Sequence, residues 1–220
     1  MSLTEFGMVA SSFTLLGGYH LLLWRRVRRT PEQTTIGANQ SARRAWVDMI
    51  IDEKQDLLAV HNLRNWTTAS SLLATSAVII GLSLMGGAFT PDGNSAIHNA
   101  MNLFGERSEQ LATVKIFGLA VTFLAAFFSF TIAIRHFNYV GFLISLPRKA
   151  PDRFPVVLVA ENLSRAANGY TVGMRLYFLS IPIAMWIFGP TWMFLSTIML
   201  LLALRHMDFR PKLNPNRAPQ

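Results

Sequence analysis

The sequence contains no cysteine. Disulfides, thiolate metal centres, iron–sulfur clusters and cysteine nucleophiles are therefore excluded. Charge is scarce as well: 15% of the 220 residues are Asp, Glu, Lys or Arg, against about 25% in an average soluble domain. A soluble globule of this length could not coat its surface with so few. Acidic residues are the scarcer kind, 12 against 20 Lys and Arg, leaving a formal net charge of +8. That excess flanks apolar runs, where membrane topology accounts for it, so no nucleic-acid partner is expected. The chain also lacks a Walker loop, a dinucleotide fingerprint and a Gly-x-Ser-x-Gly elbow. Nothing in it proposes an enzyme or a cofactor.

What the sequence does have is apolar length. Hydrophobic residues make up 51% of it and gather into four runs, Phe6–Trp24, Trp66–Ala88, Leu111–Ile134 and Leu176–Leu204. About 20 such residues suffice to cross a bilayer as a helix. The expected fold is all-α: an integral membrane protein with four transmembrane helices and ordered helical cytoplasmic segments, forming one membrane domain over 1–220. The spans are 6–24, 66–88, 111–134 and 176–204, with cytoplasmic segments 25–65 and 135–175, an external loop 89–110 and a tail 205–220. The first run is no cleaved leader in this reading, because nothing basic precedes it while Arg25, Arg26, Arg28 and Arg29 follow it. The fourth run has 29 residues, about 43 Å of straight helix. With Pro182 and Gly189-Pro190 inside it, it is expected to be one kinked, tilted helix. A re-entrant hairpin at Gly189-Pro190 is the alternative.

Basic residues set the orientation. Segment 25–65 carries Arg25, Arg26, Arg28, Arg29, Arg43, Arg44, Lys54 and Arg64. Segment 135–175 carries Arg135, Arg148, Lys149, Arg153, Arg165 and Arg175. The loop between spans two and three has only Arg107, and Lys115 and Glu5 sit near span ends, where they can snorkel. The positive-inside rule then places both basic segments in the cytoplasm of a multi-pass cell-membrane protein with both termini external. Only the tail dissents, since Arg205, Arg210, Lys212 and Arg217 favour the cytoplasm. Trp24, Trp46 and Trp66 fall near the inner boundary, as an aromatic belt requires.

From Ala38 to Asn65 there is no Gly or Pro, and Ala42, Trp46, Met49, Ile50, Leu57, Val60 and Leu63 recur at helical spacing. This predicts a helix running straight into span two as one long rod. A second cytoplasmic helix is expected from Pro155, stopping at Asn168-Gly169, with Pro147–Pro155 as a linker. Small residues form stripes at Ser70, Ala74, Ala77 and Gly81, and at Gly118, Thr122, Ala125 or Ala126, Ser129 and Ala133. In lipid such faces let helices approach closely, against each other or against a second subunit. The phenylalanines of span three (Phe117, Phe123, Phe127, Phe128 and Phe130) face lipid or fill the bundle.

Candidate chemistry is thin. His20 with His136 or His61 can ligate a haem or metal, although no spacing motif supports it, and a hydrogen-bonded histidine is the plainer reading. Asp48, Asp52 and Asp56, with Glu53 beside them, can bind a divalent cation through oxygen; a solvated helix face balanced by Arg44 and Lys54 is the commoner and plainer reading. The arginine cluster attracts anionic headgroups. With Arg43, Arg44, Arg64, Arg135 and Arg175 it can instead line the mouth of an anion pathway.

Several strings are specific enough to compare. Gly18-Tyr19-His20 leads into Arg25-Arg26, then Arg29-Thr30-Pro31, Thr34-Thr35-Ile36-Gly37-Ala38-Asn39 and Ala42-Arg43-Arg44-Ala45-Trp46-Val47. Leu58-Ala59-Val60, Leu63-Arg64-Asn65, Phe127-Phe128-Ser129-Phe130, Ile134-Arg135 and Asn138 follow. Arg175-Leu176-Tyr177-Phe178, Ile181-Pro182, Trp186-Ile187-Phe188-Gly189-Pro190 and Asp208-Phe209 close the set. Together they resemble a family of membrane proteins from bacteria and plants catalogued as domain of unknown function 599, over nearly the whole chain, with a poorer fit between Val47 and Leu57 and no match in the loop from Ala88 to Gln110. The resemblance implies a four-span architecture with basic cytoplasmic segments and supplies no activity or cofactor. Its matched polar residues, His20, Asn39, Arg44, Arg64, Asn65, Arg135, Asn138 and Arg175, are expected to form one buried polar network near the inner boundary. The expected role is non-enzymatic: a homo-oligomer or an accessory subunit beside other membrane protein subunits, with the bilayer and its anionic headgroups as partner. An oligomeric anion channel and a haem- or metal-bearing redox subunit are the competing readings.

Overall fold

The computed structural model describes residues 3–89, 109–145 and 156–209. The expected Pro147–Pro155 linker, most of the expected external loop, and Arg107, Arg148, Lys149, Arg153, Arg210, Lys212 and Arg217 lie outside them. The described residues are almost entirely helical: α1 (Leu3–Arg29), α2 (Thr35–Glu53), α3 (Asp56–Phe89), α4 (Glu109–Ile144), α5 (Val156–Met185) and α6 (Pro190–Asp208), with 3-10 turns at Pro31–Gln33 and Trp186–Phe188. Four of the helical stretches, Thr4–Arg29, Asp56–Gly87, Gln110–Ile144 and Val156–Phe188, are long and apolar enough to cross a membrane. The chain divides into two compact units, Met1–Ala42 with Pro190–Gln220, and Arg43–Gly189.

The larger unit is built on α3, α4 and α5. Its helices are antiparallel in sequence order: Trp66 of α3 stacks on Phe137 of α4 with ring centroids 6.1 Å apart, while His136 of α4 lies beside Asn162 of α5. The first small-residue stripe is consumed here, together with the Ser129–Ala133 end of the second. Ser70, Ala74, Ala77 and Gly81 are buried, and a Cβ on Gly81 would meet Leu124 at 3.1 Å. A Cβ on Gly169 would meet the Ser129 carbonyl at 3.1 Å and the Ala133 nitrogen at 3.2 Å. Close backbone approach substitutes for the hydrophobic force that lipid cannot provide between helices. Phe130 points inward and is fully buried, while Phe128 is 63% exposed.

At one end, these three helices and α2 share an aliphatic and aromatic core that includes Val47, Ile50, Leu63, Phe137, Val140 and Leu163. Residues 47–63, 133–144 and 159–166 thus belong to one packed body.

In the smaller unit α1 and α6 run parallel. Thr191, at the start of α6, lies against Met8 of α1 with Oγ1 3.8 Å from the Met8 sulfur, and Asp208, at the end of α6, meets Tyr19.

Four expectations change. The rod does not run straight into span two. Lys54, at φ 57°, ends α2, and the Gln55 N–H reaches back to the Ile50 carbonyl at 3.2 Å, the closing bond of a left-handed helix stop. Asn168-Gly169 does not stop a helix, since α5 continues to Met185; Gly169 is there for close packing on α4. Residues 176–204 are not one kinked helix. The chain passes through Pro182, ends α5 at Met185, turns at Gly189 with φ 132° and restarts at Pro190, because only glycine adopts that backbone easily. Finally, Lys115 does not snorkel. It is 2% exposed, with Nζ 5.6 Å from the Trp186 ring centroid, where a cation is favoured by both the ring face and the C-terminal end of α5.

Candidate functional site

Among the described residues, two places gather polar chemistry, one in each unit. In the smaller unit the centre is Thr34, fully buried. Its hydroxyl donates to the Pro31 carbonyl at 2.8 Å and accepts the Gly37 N–H at 3.2 Å. That second bond makes Thr34 the N-cap of α2. Thr34 also forms an isolated antiparallel bridge with Phe209, and the Thr35 hydroxyl donates to the Met207 carbonyl at 2.9 Å. The Arg26 guanidinium lies 5.0 Å from the Phe209 ring centroid. Beside this knot the Tyr19 hydroxyl donates to the Asp208 carboxylate at 2.7 Å, with Asp208 only 6% exposed. Strings from opposite ends of the chain therefore close on one another.

A bond from a hydroxyl to a buried carboxylate is stronger than a neutral one, and losing the donor leaves the acceptor desolvated. Tyr19→Phe is expected to destabilise this unit by about 1–3 kcal/mol, read as a lowered thermal midpoint in detergent. A midpoint equal to that of the parent chain would show the bond to be dispensable.

His20 sits next to Tyr19, half-buried, with Nδ1 2.8 Å from the Leu16 carbonyl. Its Nε2 is buried without a hydrogen-bond partner. His136 belongs to the other unit, where Nδ1 lies 3.2 Å from Asn162 Oδ1 and the Asn162 amide donates to the Leu158 carbonyl at 2.9 Å. His61 is exposed. Asp48, Asp52 and Asp56 are exposed, and the stop at Lys54 puts Asp56 on a different helix from the other two. Among the described residues no group of three or more His, Asp or Glu is arranged to hold a metal ion.

In the larger unit the polar residues flank α4. One open groove of about 460 Å³ runs between α3 and α4 past Arg64, Thr67 and Asn138. A second, of about 710 Å³, runs along α4 past Arg135, Asn138 and Tyr139. Asn138 and Phe142 line both. Of the eight residues expected in one buried network, Asn39, Arg44, Arg64, Asn65, Arg135 and Asn138 are exposed, while His20 and Arg175 are half-buried. The structure brings Arg64, Arg135 and Asn138 to a shared surface and puts His20 and Asn39 in the other unit. Arg43, which has no place in that set, is half-buried with its Nε lacking a hydrogen-bond partner. Burial lowers its pKa from the usual guanidinium value without discharging a group that stays protonated in proteins.

Sequence reasoning gave no role to Asp208, Thr34 or Gly37, although a threonine followed three residues later by a helical N–H is a recognisable cap. It passed over Lys115 because a charge near the end of an apolar run is indistinguishable from a snorkelling one.

Comparison with known proteins agrees with the resemblance carried by those strings. A family model described as a protein of unknown function, DUF599, matches residues 8–213. No curated protein and no solved structure matches the chain.

Proposed function

The chain belongs to the DUF599 family of proteins of unknown function, and from that premise we propose that it is a non-enzymatic multi-pass membrane protein whose cytoplasmic end is an ordered helical platform for docking a second copy or other membrane subunits. The observation that carries this reading is the shared core of α2, α3, α4 and α5. The last three have 34, 36 and 30 residues, or about 45–54 Å of helix, against a hydrocarbon layer of about 30 Å. The surplus length carries that core, and it coincides with the two arginine-dense connectors.

A soluble surface would not keep Leu72, Phe128, Met199 and Leu202 more than 60% exposed; lipid solvates them. The platform has its own apolar spot, since Leu57 is 81% and Leu58 49% exposed at the start of α3, beyond the uncharged stretch. A partner subunit seated there would remove both from water.

Orientation follows from the arginines. With segments 25–65 and 135–175 in the cytoplasm, the N-terminus is external. The parallel pairing of α1 and α6 argues against the external tail expected from four crossings. Met207–Phe209 lie beside Thr34 and Arg26, so in this orientation the end of α6 faces the cytoplasm with Arg205.

Two measurements test this reading. Reporter fusions after residues 55, 165 and 209 are expected to report the cytoplasm; opposite compartments for the first two would overturn the platform. Mild crosslinking in native membranes is expected to capture a second copy or a membrane subunit, and Leu57→Ser with Leu58→Ser to reduce it. A strictly monomeric, partnerless chain would remove the docking role.

A further inference from the structure

The basic grooves beside α4 mark a place on this surface with its own chemistry. Arg64 is the last charge on α3 before the uncharged stretch Asn65–Phe89, and Arg135 is the first charge on α4 after the uncharged stretch Ile116–Ile134. The antiparallel register set by the Trp66–Phe137 stack brings those two charges to within about one helical turn in depth, roughly 6 Å, with Arg135 nearer the uncharged stretches. Both are exposed, and the grooves they line join at Asn138 and Phe142.

We propose that this joined groove binds the headgroup of an anionic phospholipid. Two guanidiniums offer forked donors suited to phosphate oxygens, and the Asn138 amide, the Thr67 hydroxyl and the Tyr139 phenol supply neutral partners for the rest of the headgroup. The described lining residues include no carboxylate, so the ammonium of a zwitterionic lipid finds no counter-charge. The surroundings distinguish lipid from a free anion. Phe142 is 76% exposed beside the arginines, and Phe128 and Ile132, 63% and 53% exposed, continue one helical stripe from Arg135 toward the middle of the apolar stretch. Leu72 occupies the same face of α3 two turns beyond Arg64. A phosphate held at the arginines would direct its acyl chains along these side chains, whereas a soluble anion would leave them bare.

The inference rests on the bilayer placement proposed above and not on partner docking, so crosslinking and lipid counting fail independently. The test uses the full chain in mild detergent, with phosphatidylglycerol and phosphatidylcholine offered at equal concentration and retained lipid counted by native mass spectrometry. Preferential retention of phosphatidylglycerol is expected. Near a membrane surface each basic residue is worth about five-fold in binding, so Arg64→Gln or Arg135→Gln should weaken retention about five-fold and the pair about thirty-fold. The double lysine variant, which keeps the charge, should recover most of it, and Arg44→Gln, an exposed change on α2, should leave it unchanged. Because both arginines are exposed, the thermal midpoints of the glutamine variants are expected to match the parent. Equal retention of the two lipids, or a double glutamine variant that holds phosphatidylglycerol like the parent, would overturn the site. So would release of bound lipid by millimolar inorganic phosphate, which would reassign the groove to a soluble anion.

Discussion

Gly37→Ala is expected to lower the stability of the unit formed by α1 and α6 by about 3 kcal/mol or more, at the upper end of overpacking costs. A Cβ at this position would stand 2.2 Å from the Pro31 carbonyl oxygen and 2.6 Å from its carbon. Those are backbone atoms, held because the Thr34 hydroxyl donates to that same carbonyl and the Thr34 N–H reaches it at 3.0 Å. Relief requires the turn to open. The cap on α2 and the bridge to Phe209 then go together, which is why a single methyl costs so much. Gly17 is the control. It lies in α1, and a Cβ added there would have nothing within 4 Å, so Gly17→Ala should be neutral or gain up to about 1 kcal/mol from helix propensity. Thermal unfolding of both variants in the same detergent separates the two cases. Equal midpoints for Gly37→Ala and the parent would mean that the turn yields freely and that the knot is not a fixed structure.

The second large effect concerns Gly173. Its added Cβ would meet three ring atoms of Phe130 at 2.6–2.8 Å. The ring is fully buried and held edge-on by Tyr170 and Tyr177, with centroids 5.8 and 5.7 Å away, so it cannot swing aside. Gly173→Ala is expected to cost about 2 kcal/mol by pushing α5 off α4. The cause can be isolated with a cycle. Phe130→Leu removes the obstructing ring edge, so the double variant should lose clearly less than the two single losses summed. Strict additivity would show that the alanine acts elsewhere. Within a bilayer this contact matters more than its area suggests, because helix association there depends on close packing and lacks a hydrophobic drive.

Helix existence and type were legible in the sequence because apolar length and periodicity are local properties. Helix ends were not. The stop after α2 uses Lys54 where glycine is the usual signal, and so the expected rod broke. Gly169 misled in the opposite direction, since a glycine serving close approach and one serving a helix stop look alike without a neighbouring helix. The length of the fourth apolar run concealed the turn at Gly189, after which α6 pairs with α1 in parallel. The polar knot was not legible at all as a site. Tyr19 and Asp208 stand 189 positions apart, and only folding shows that the matched strings at the two ends of the chain meet. The basic groove was half legible: the arginines were picked out by their depth, but a buried network was expected where the structure has an exposed surface.

The pairing of the first helix with the last has a consequence for biogenesis. During synthesis α1 emerges first and its partner face waits until residues 190–208 have left the ribosome, while α3, α4 and α5 can already assemble. A chain that stalls or is clipped before Pro190 would carry a finished bundle and an orphaned leading helix, with the Tyr19 hydroxyl deprived of the Asp208 carboxylate. Membrane quality-control proteases would meet that helix as the mark of an incomplete product.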